Sequence, residues 1–333
     1  MRGILITIII AGVTWIAYEL PGLFQYQSKQ NSEVSIKGKS KPNSAESVQR
    51  NYKTESAAPL KEGKKLNDLY KRIASDLQKG QALVVTVHVA LCDNQYQGIV
   101  PVPASLGNGD DPGNNLYWGA MYGLYGEFNR AKDWKRVFYR KSHNCDILET
   151  VIYRKKFEAN PFWRNLQVSD SFDLYLIGKA WRGRYIAKAG EAFTRNTFTD
   201  IPEKIQLENG ITLNAGGQSH VVGFIGHNYL GEIARDKYPF NTIKRNQSLE
   251  KGAFILACVS YPSFGQHIIN QYTHNLAMTK SFMAPESYTV RYLLDSLAAG
   301  NEHTDFHNAC AKAYGKYQRI SVGSAKTVFH SGD

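Results

Sequence analysis

Apolar positions fall into three regimes along this chain. From Ile4 to Ala17 they run without a charge, and from Gln25 to about Lys65 they nearly vanish among Ser, Lys, Asn, Gln and Glu. Beyond that they return in short blocks separated by turn residues. Leu69, Ile73 and Leu77 recur every four residues and predict a helix over Leu66–Gln78. ALVVTVHVAL (Ala82–Leu91) is a continuous, largely β-branched run, the pattern of a strand buried on both faces. Runs at Leu148–Tyr153, Phe172–Ile177, His220–Ile225 and Ala253–Ala257 predict four more buried strands. Helical spacing covers Trp181–Arg195, Asn228–Arg235, Pro285–Ala298 and Asp305–Gln318, and the apolar segment reaching Leu124 suits a further helix. Strands alternating with helices predict an α/β fold over residues 66–333, a three-layer sandwich with a mainly parallel central sheet.

The two N-terminal regimes change the picture of where this domain works. Arg2 followed by the uncharged run matches a signal peptide or signal anchor over residues 1–24. The run is shorter than the ~20 residues of a membrane-spanning helix. Trp15 stands where cleavage before Tyr18 would require a small residue, which favours an anchor with Arg2 on the cytoplasmic side. Residues 25–65 read as a disordered basic linker. The expectation is an exported protein, periplasmic or anchored to the inner membrane facing outward, its N-terminal segment in contact with the membrane.

Composition narrows the partners. The formal net charge is +11, and Ser28–Gly80 carries 12 Lys and Arg against 6 Asp and Glu, about half of the excess. The remaining charge shows no basic cluster interleaved with aromatics and no nucleic-acid motif, so nucleic acid is not an expected partner. The four cysteines, Cys92, Cys145, Cys258 and Cys310, allow three pairings outside the cytoplasm and form no recognisable framework. There is no CxxC, no HExxH and no tight His/Cys group, so neither a metal nor a cofactor is expected.

In parallel sheets functional groups gather beyond the carboxyl ends of the strands. Cys92-Asp93-Asn94 follow the first predicted strand, Gly226-His227-Asn228 the fourth, and Cys258-Val259-Ser260 the fifth. VVGFIGHN and AFILACVS therefore each deliver one reactive side chain from an apolar strand into a turn. A cysteine nucleophile needs such a base within reach, together with backbone N–H groups for a tetrahedral oxyanion. FIGHN, followed 31 residues after its histidine by LACVS, resembles the caspase-like cysteine peptidases, the clan of legumains, gingipains and separases. In that clan one apolar strand ends in His-Gly and the next in Ala-Cys; LACVSYPSF is most similar to the gingipain version. The blocks GHN, LAC and MAPESYT are also similar to those of a bacterial family.

The resemblance implies a caspase-like three-layer sandwich and hydrolysis of a peptide or protein substrate. In it His227 is the general base, Cys258 the nucleophile, and the backbone N–H groups of Asn228 and Cys258 form the oxyanion hole. The clan's glycine after the histidine is Asn228 here, which favours the alternative of a catalytically silent caspase-like module that binds a protein partner. The resemblance also makes Asp93 a candidate for the substrate pocket, where it would prefer a basic side chain before the scissile bond; an Asx turn or helix cap is the simpler reading of it. Glu286 reads as a first-turn helix acid, His88 as a core histidine, and His303 with His307 as one helix face without a third ligand. Gly107–Asn115 reads as a turn cluster able to act as a lid, and only faintly as the loop of a two-metal phosphoesterase.

Overall fold

The computed structural model describes residues 66–142 and 145–331; the apolar leader and the linker lie outside these residues. In chain order the principal elements are α1 (Asn67–Gln78), β1 (Leu83–Ala90), α2 (Leu124–Arg130), β2 (Lys135–Lys141), β3 (Ile147–Glu158), β4 (Ser171–Trp181), α3 (Ile186–Phe198), β5 (Pro202–Gln206), β6 (Thr212–Gly216), β7 (Val221–Ile225), β8 (Lys251–Leu256), β9 (Thr273–Ala277), α4 (Tyr288–Ala298) and α5 (His303–Gln318). Seven strands form one sheet in the order β2-β3-β4-β1-β7-β8-β9, and β5 and β6 form a separate hairpin. The run β4-β1-β7-β8-β9 is parallel throughout, whereas β2 and β3 extend it antiparallel at one edge. Helices flank the sheet, giving the three-layer α/β sandwich that the alternation of elements predicts.

Burial follows the strand chemistry. Every residue of β1, β7 and β8 is buried, as continuous apolar runs covered on both faces require. On one face α3 presents Ile186, Ala189, Phe193 and Phe198 to Ala90, Val222, Phe224, Ala253 and Ile255. Phe224 sits at the centre, its ring 6.1 Å from those of Phe193 and Tyr229 and 6.3 Å from that of Phe264. Tyr229 belongs to the segment after β7 and Phe264 to the π-helical turn Tyr261–Gly265 after β8, so one buried ring supports both segments that follow the central strands. At the other end of β8, fully buried Lys251 donates to the carbonyls of Asn196 and Thr199 at the end of α3 and pairs with Asp200 at 3.2 Å.

Several expectations need correction. Asn228–Arg235 is not an α-helix but two short 3-10 turns, Tyr229–Gly231 and Arg235–Lys237. The strand predicted at Leu148–Tyr153 is β3, twelve residues long and antiparallel to its neighbours. β2, KRVFYRK, interleaves four cations with Phe138 and Tyr139, a basic and aromatic cluster that the charge reading denied. Its Arg136 guanidinium lies 5.4 Å from the Tyr139 ring, and its exposed cations blunt the edge of the sheet against pairing. Among the described residues no helix is long and apolar enough to cross a membrane.

Deleting the central ring should be expensive. Phe224→Ala is expected to destabilise the domain by about 3–5 kcal/mol, the usual cost of truncating a fully buried aromatic. A urea denaturation midpoint compared with that of the wild type measures this.

Candidate active site

The parallel ladder places Ile225 of β7 opposite Leu256 of β8, and Val89 of β1 opposite Ile225. Two residues beyond these partners stand His227 and Cys258, at the same level on adjacent strand ends. The Gly226 amide donates to the Leu256 carbonyl at 3.2 Å, carrying the pairing past the strand ends. The Asn228 side chain then closes the gap. Its Nδ2 donates to the Cys258 carbonyl and to Ser263 Oγ, both at 2.8 Å, and reaches the Val259 carbonyl at 3.4 Å.

This corrects the reading of Asn228. Its φ of −79° is ordinary, so the position does not call for glycine's left-handed freedom. The left-handed residue is instead Val259, at φ +52°, immediately after the cysteine. A β-branched residue is strained in that region, and the surrounding hydrogen bonds hold it there. The chain thus turns sharply at Cys258 from a buried strand into the π-helical turn Tyr261–Gly265. Among the described residues the main-chain N–H groups of Asn228 and Cys258 donate to no backbone carbonyl.

The two reactive side chains point to separate partners. His227 Nε2 lies 2.7 Å from Glu232 Oε1, and that same oxygen accepts the Gly98 amide at 2.7 Å. Burial works to raise the Glu232 carboxyl, but the His227 and Gly98 hydrogen bonds bring it below its ordinary value. Cys258 Sγ donates to the Met283 carbonyl at 3.5 Å and accepts the Met283 amide at 3.4 Å. Burial pushes the Cys258 thiol above its ordinary value, with the Met283 amide opposing it. The expected thiol–imidazole hydrogen bond is therefore not made here, and the thiol is not primed to ionise.

Residues 278–283 form a strap over the cysteine turn. The Val259 and Tyr261 amides donate to the carbonyls of Ser281 and Thr279, at 3.0 and 2.8 Å. Along its other edge the strap pairs with the C-terminal segment: Lys280 donates to Val328, and His330 to Met278, both at 2.8 Å. Three residues beyond Met283, Glu286 is buried just ahead of α4 rather than exposed in its first turn. Its Oε2 accepts from Gln318 Nε2 at 2.7 Å while Oε1 has no partner, and burial raises its carboxyl to about 8.

The remaining candidates have structural partners. Asp93 is buried, and its Oδ1 accepts the amides of Gln95 and Tyr96 at 2.9 and 3.2 Å, the geometry of an Asx turn. Gly109 packs so closely on its carboxylate that an added Cβ would lie 2.1 Å from Oδ2. Asn115 brackets the backbone of Cys92, accepting its N–H and donating to its carbonyl. Asp110 is clasped by Arg182 and Arg184, so the loop expected to serve as a lid is tied down. His88 is a buried core histidine bonded to Trp181 and Asn196. His303 and His307 bond to separate carbonyls, those of Asn275 and Lys326. All four cysteines are free, with Cys92 and Cys310 buried and pushed up to about 12 and Cys145 exposed. Among the described residues no group of three His, Cys, Asp or Glu is placed to hold a metal. A cavity of about 200 Å³ lies at the opposite end of the sheet, lined by Arg72, Asp76, Gln218 and His220 together with apolar Val84 and Leu213. Its Arg72 is engaged with the carbonyls of Gln218, Ser219 and Glu250, which suits a structural plug more than a site.

Glu232 had no legible signal in the sequence. It reaches His227 because the 3-10 turn Tyr229–Gly231 folds the chain back within five residues. No protein-family model, no curated protein and no solved structure matches this chain.

Two outcomes follow from this geometry. Asn228→Ala should cost about 1–3 kcal/mol, because it removes the donor to the half-buried Cys258 carbonyl and to Ser263 Oγ, and Asn228→Gly should cost no less. Denaturation midpoints check both. Glu286 should make the protein less stable as pH rises. Its folded value is about 8 against an ordinary 4.5, so the folded state binds the extra proton between them and its advantage is lost through that window. Glu286→Gln should flatten the fall in urea midpoint between those two values.

Proposed function

We propose that this domain is a thiol-dependent hydrolase of the caspase-like type that cleaves a peptide bond. Cys258 is the nucleophile and His227 the general base. The observation that carries this reading is the pairing of Ile225 with Leu256, which brings His227 and Cys258 to one level on adjacent strand ends. The N–H groups of Asn228 and Cys258, which donate to no backbone carbonyl, supply what acyl transfer needs besides.

In the reaction His227 takes the Sγ proton and the thiolate attacks the scissile carbonyl carbon. The resulting oxyanion is met by the N–H groups of Asn228 and Cys258. Collapse breaks the C–N bond, and the imidazolium returns its proton to the leaving amine. Water, deprotonated by His227, then hydrolyses the acyl-cysteine. Before any of this Met283 must leave Sγ, since its amide and carbonyl fill the place of a substrate backbone there. The Arg2-led apolar leader supports an activity exported to the outer side of a membrane.

A silent module that binds a protein partner is the second reading. It is favoured by the same capped thiol, which burial holds protonated.

Covalent labelling separates the two. A peptidyl acyloxymethyl ketone should modify Cys258, located by peptide mass spectrometry, and His227→Ala should reduce the rate by about a hundredfold or more, the lower end of the range for general-base catalysis. Cys258→Ala should fold normally and take no label at that site. Modification confined to exposed Cys145, with no effect of His227→Ala, would overturn the hydrolase reading in favour of the silent module.

A further inference from the structure

We infer that Glu232 is the positioning residue of His227, fixing which ring nitrogen serves the thiol; this rests on the reading of His227 and Cys258 as base and nucleophile. Glu232 Oε1 lies 2.7 Å from Nε2, a short charge-assisted contact. An ionised carboxylate only accepts hydrogen bonds, so Nε2 carries the proton in the neutral imidazole. The lone pair is then on Nδ1, and Nδ1 is the nitrogen that receives the thiol proton. The imidazolium so formed is stabilised by Glu232, which itself stays ionised, as an acid behind a catalytic histidine does. No proton passes to the carboxylate at any step.

A second contact holds Glu232 in turn. The Gly98 amide donates to the same Oε1 at 2.7 Å. Gly98 belongs to the loop that follows β1, so the segments beyond β1 and β7 meet at this oxygen. A Cβ built on Gly98 would lie 2.5 Å from Oε1 and 3.3 Å from the carboxyl carbon. The close approach therefore requires glycine, and any larger residue must push the carboxylate away. Without that carboxylate the imidazole ring is free to exchange tautomers and to turn over, and only a fraction of molecules presents a basic nitrogen to the thiol.

The glycine supplies a test that leaves Glu232 in the chain. In the full-length protein labelled with ¹⁵N-histidine, long-range ¹H–¹⁵N spectra at neutral pH should show His227 as the Nε2–H tautomer alone. Glu232→Ala and Gly98→Ala should both give a tautomer mixture. Alkylation of Cys258 by iodoacetamide should fall in both, by about tenfold, toward the rate of His227→Ala. Glu232→Gln keeps an acceptor without the charge and should fall less than Glu232→Ala. An unchanged tautomer in Glu232→Ala and Gly98→Ala overturns the inference. So does a Cys258 rate that His227→Ala lowers and neither of those variants does. If His227→Ala itself leaves the Cys258 rate unchanged, the dyad reading fails first, and the role of Glu232 falls with it.

Discussion

The parallel pairing of β7 with β8 sets where His227 and Cys258 stand in this molecule. With Ile225 opposite Leu256, the second residue beyond each strand end stands beside its counterpart. A slip of one residue would turn every side chain of one strand to the opposite face and break the packing of Phe224 against Phe193, Tyr229 and Phe264. Phe224 underpins this register from one layer, touching the segments that carry Tyr229 and Phe264. Asn228 then ties the two segments directly, and the strained Val259 is held in place by the ties around it.

What the sequence made legible depended on how each element earns its place. The runs in β1, β7 and β8 are buried on both faces, so their composition alone marks them. β9, THNLA, is equally buried but polar, because its side chains find specific partners: Thr273 bonds Gln247 and His274 bonds Glu250. No periodicity reports such pairings. β2 is hidden for the opposite reason, as its side chains are mostly exposed and it is held by backbone pairing with β3. The hairpin of β5 and β6 turns through Asn209-Gly210, with Gly210 at φ +84°, a turn signal readable in principle beside short, weakly patterned strands.

At the site the same division holds. His227 and Cys258 were readable because each follows an apolar strand. Glu232 was not, since a helix over Asn228–Arg235 would have carried it away from His227, and the 3-10 turn that brings it back leaves no periodic mark. Asn228 was readable only as a departure from glycine, and its role rests on a side chain spanning to the next segment, a distance a sequence does not encode. The thiol's environment was likewise invisible, because Met283 lies 25 residues further along the chain.

The strap over Cys258 makes the reactivity of the thiol a property of the far end of the domain. Residues 278–283 are gripped between the cysteine turn and residues 328–330. Met283 occupies both hydrogen-bonding positions of Sγ, so where a reagent must displace it the measured rate is the rate of the open form multiplied by its population. Each 1.4 kcal/mol by which Val328 and His330 hold the strap down slows the thiol about tenfold with no change in the site itself. Whatever loosens that grip, whether heat, a substitution or a competing strand, would register at Cys258 as a faster reaction.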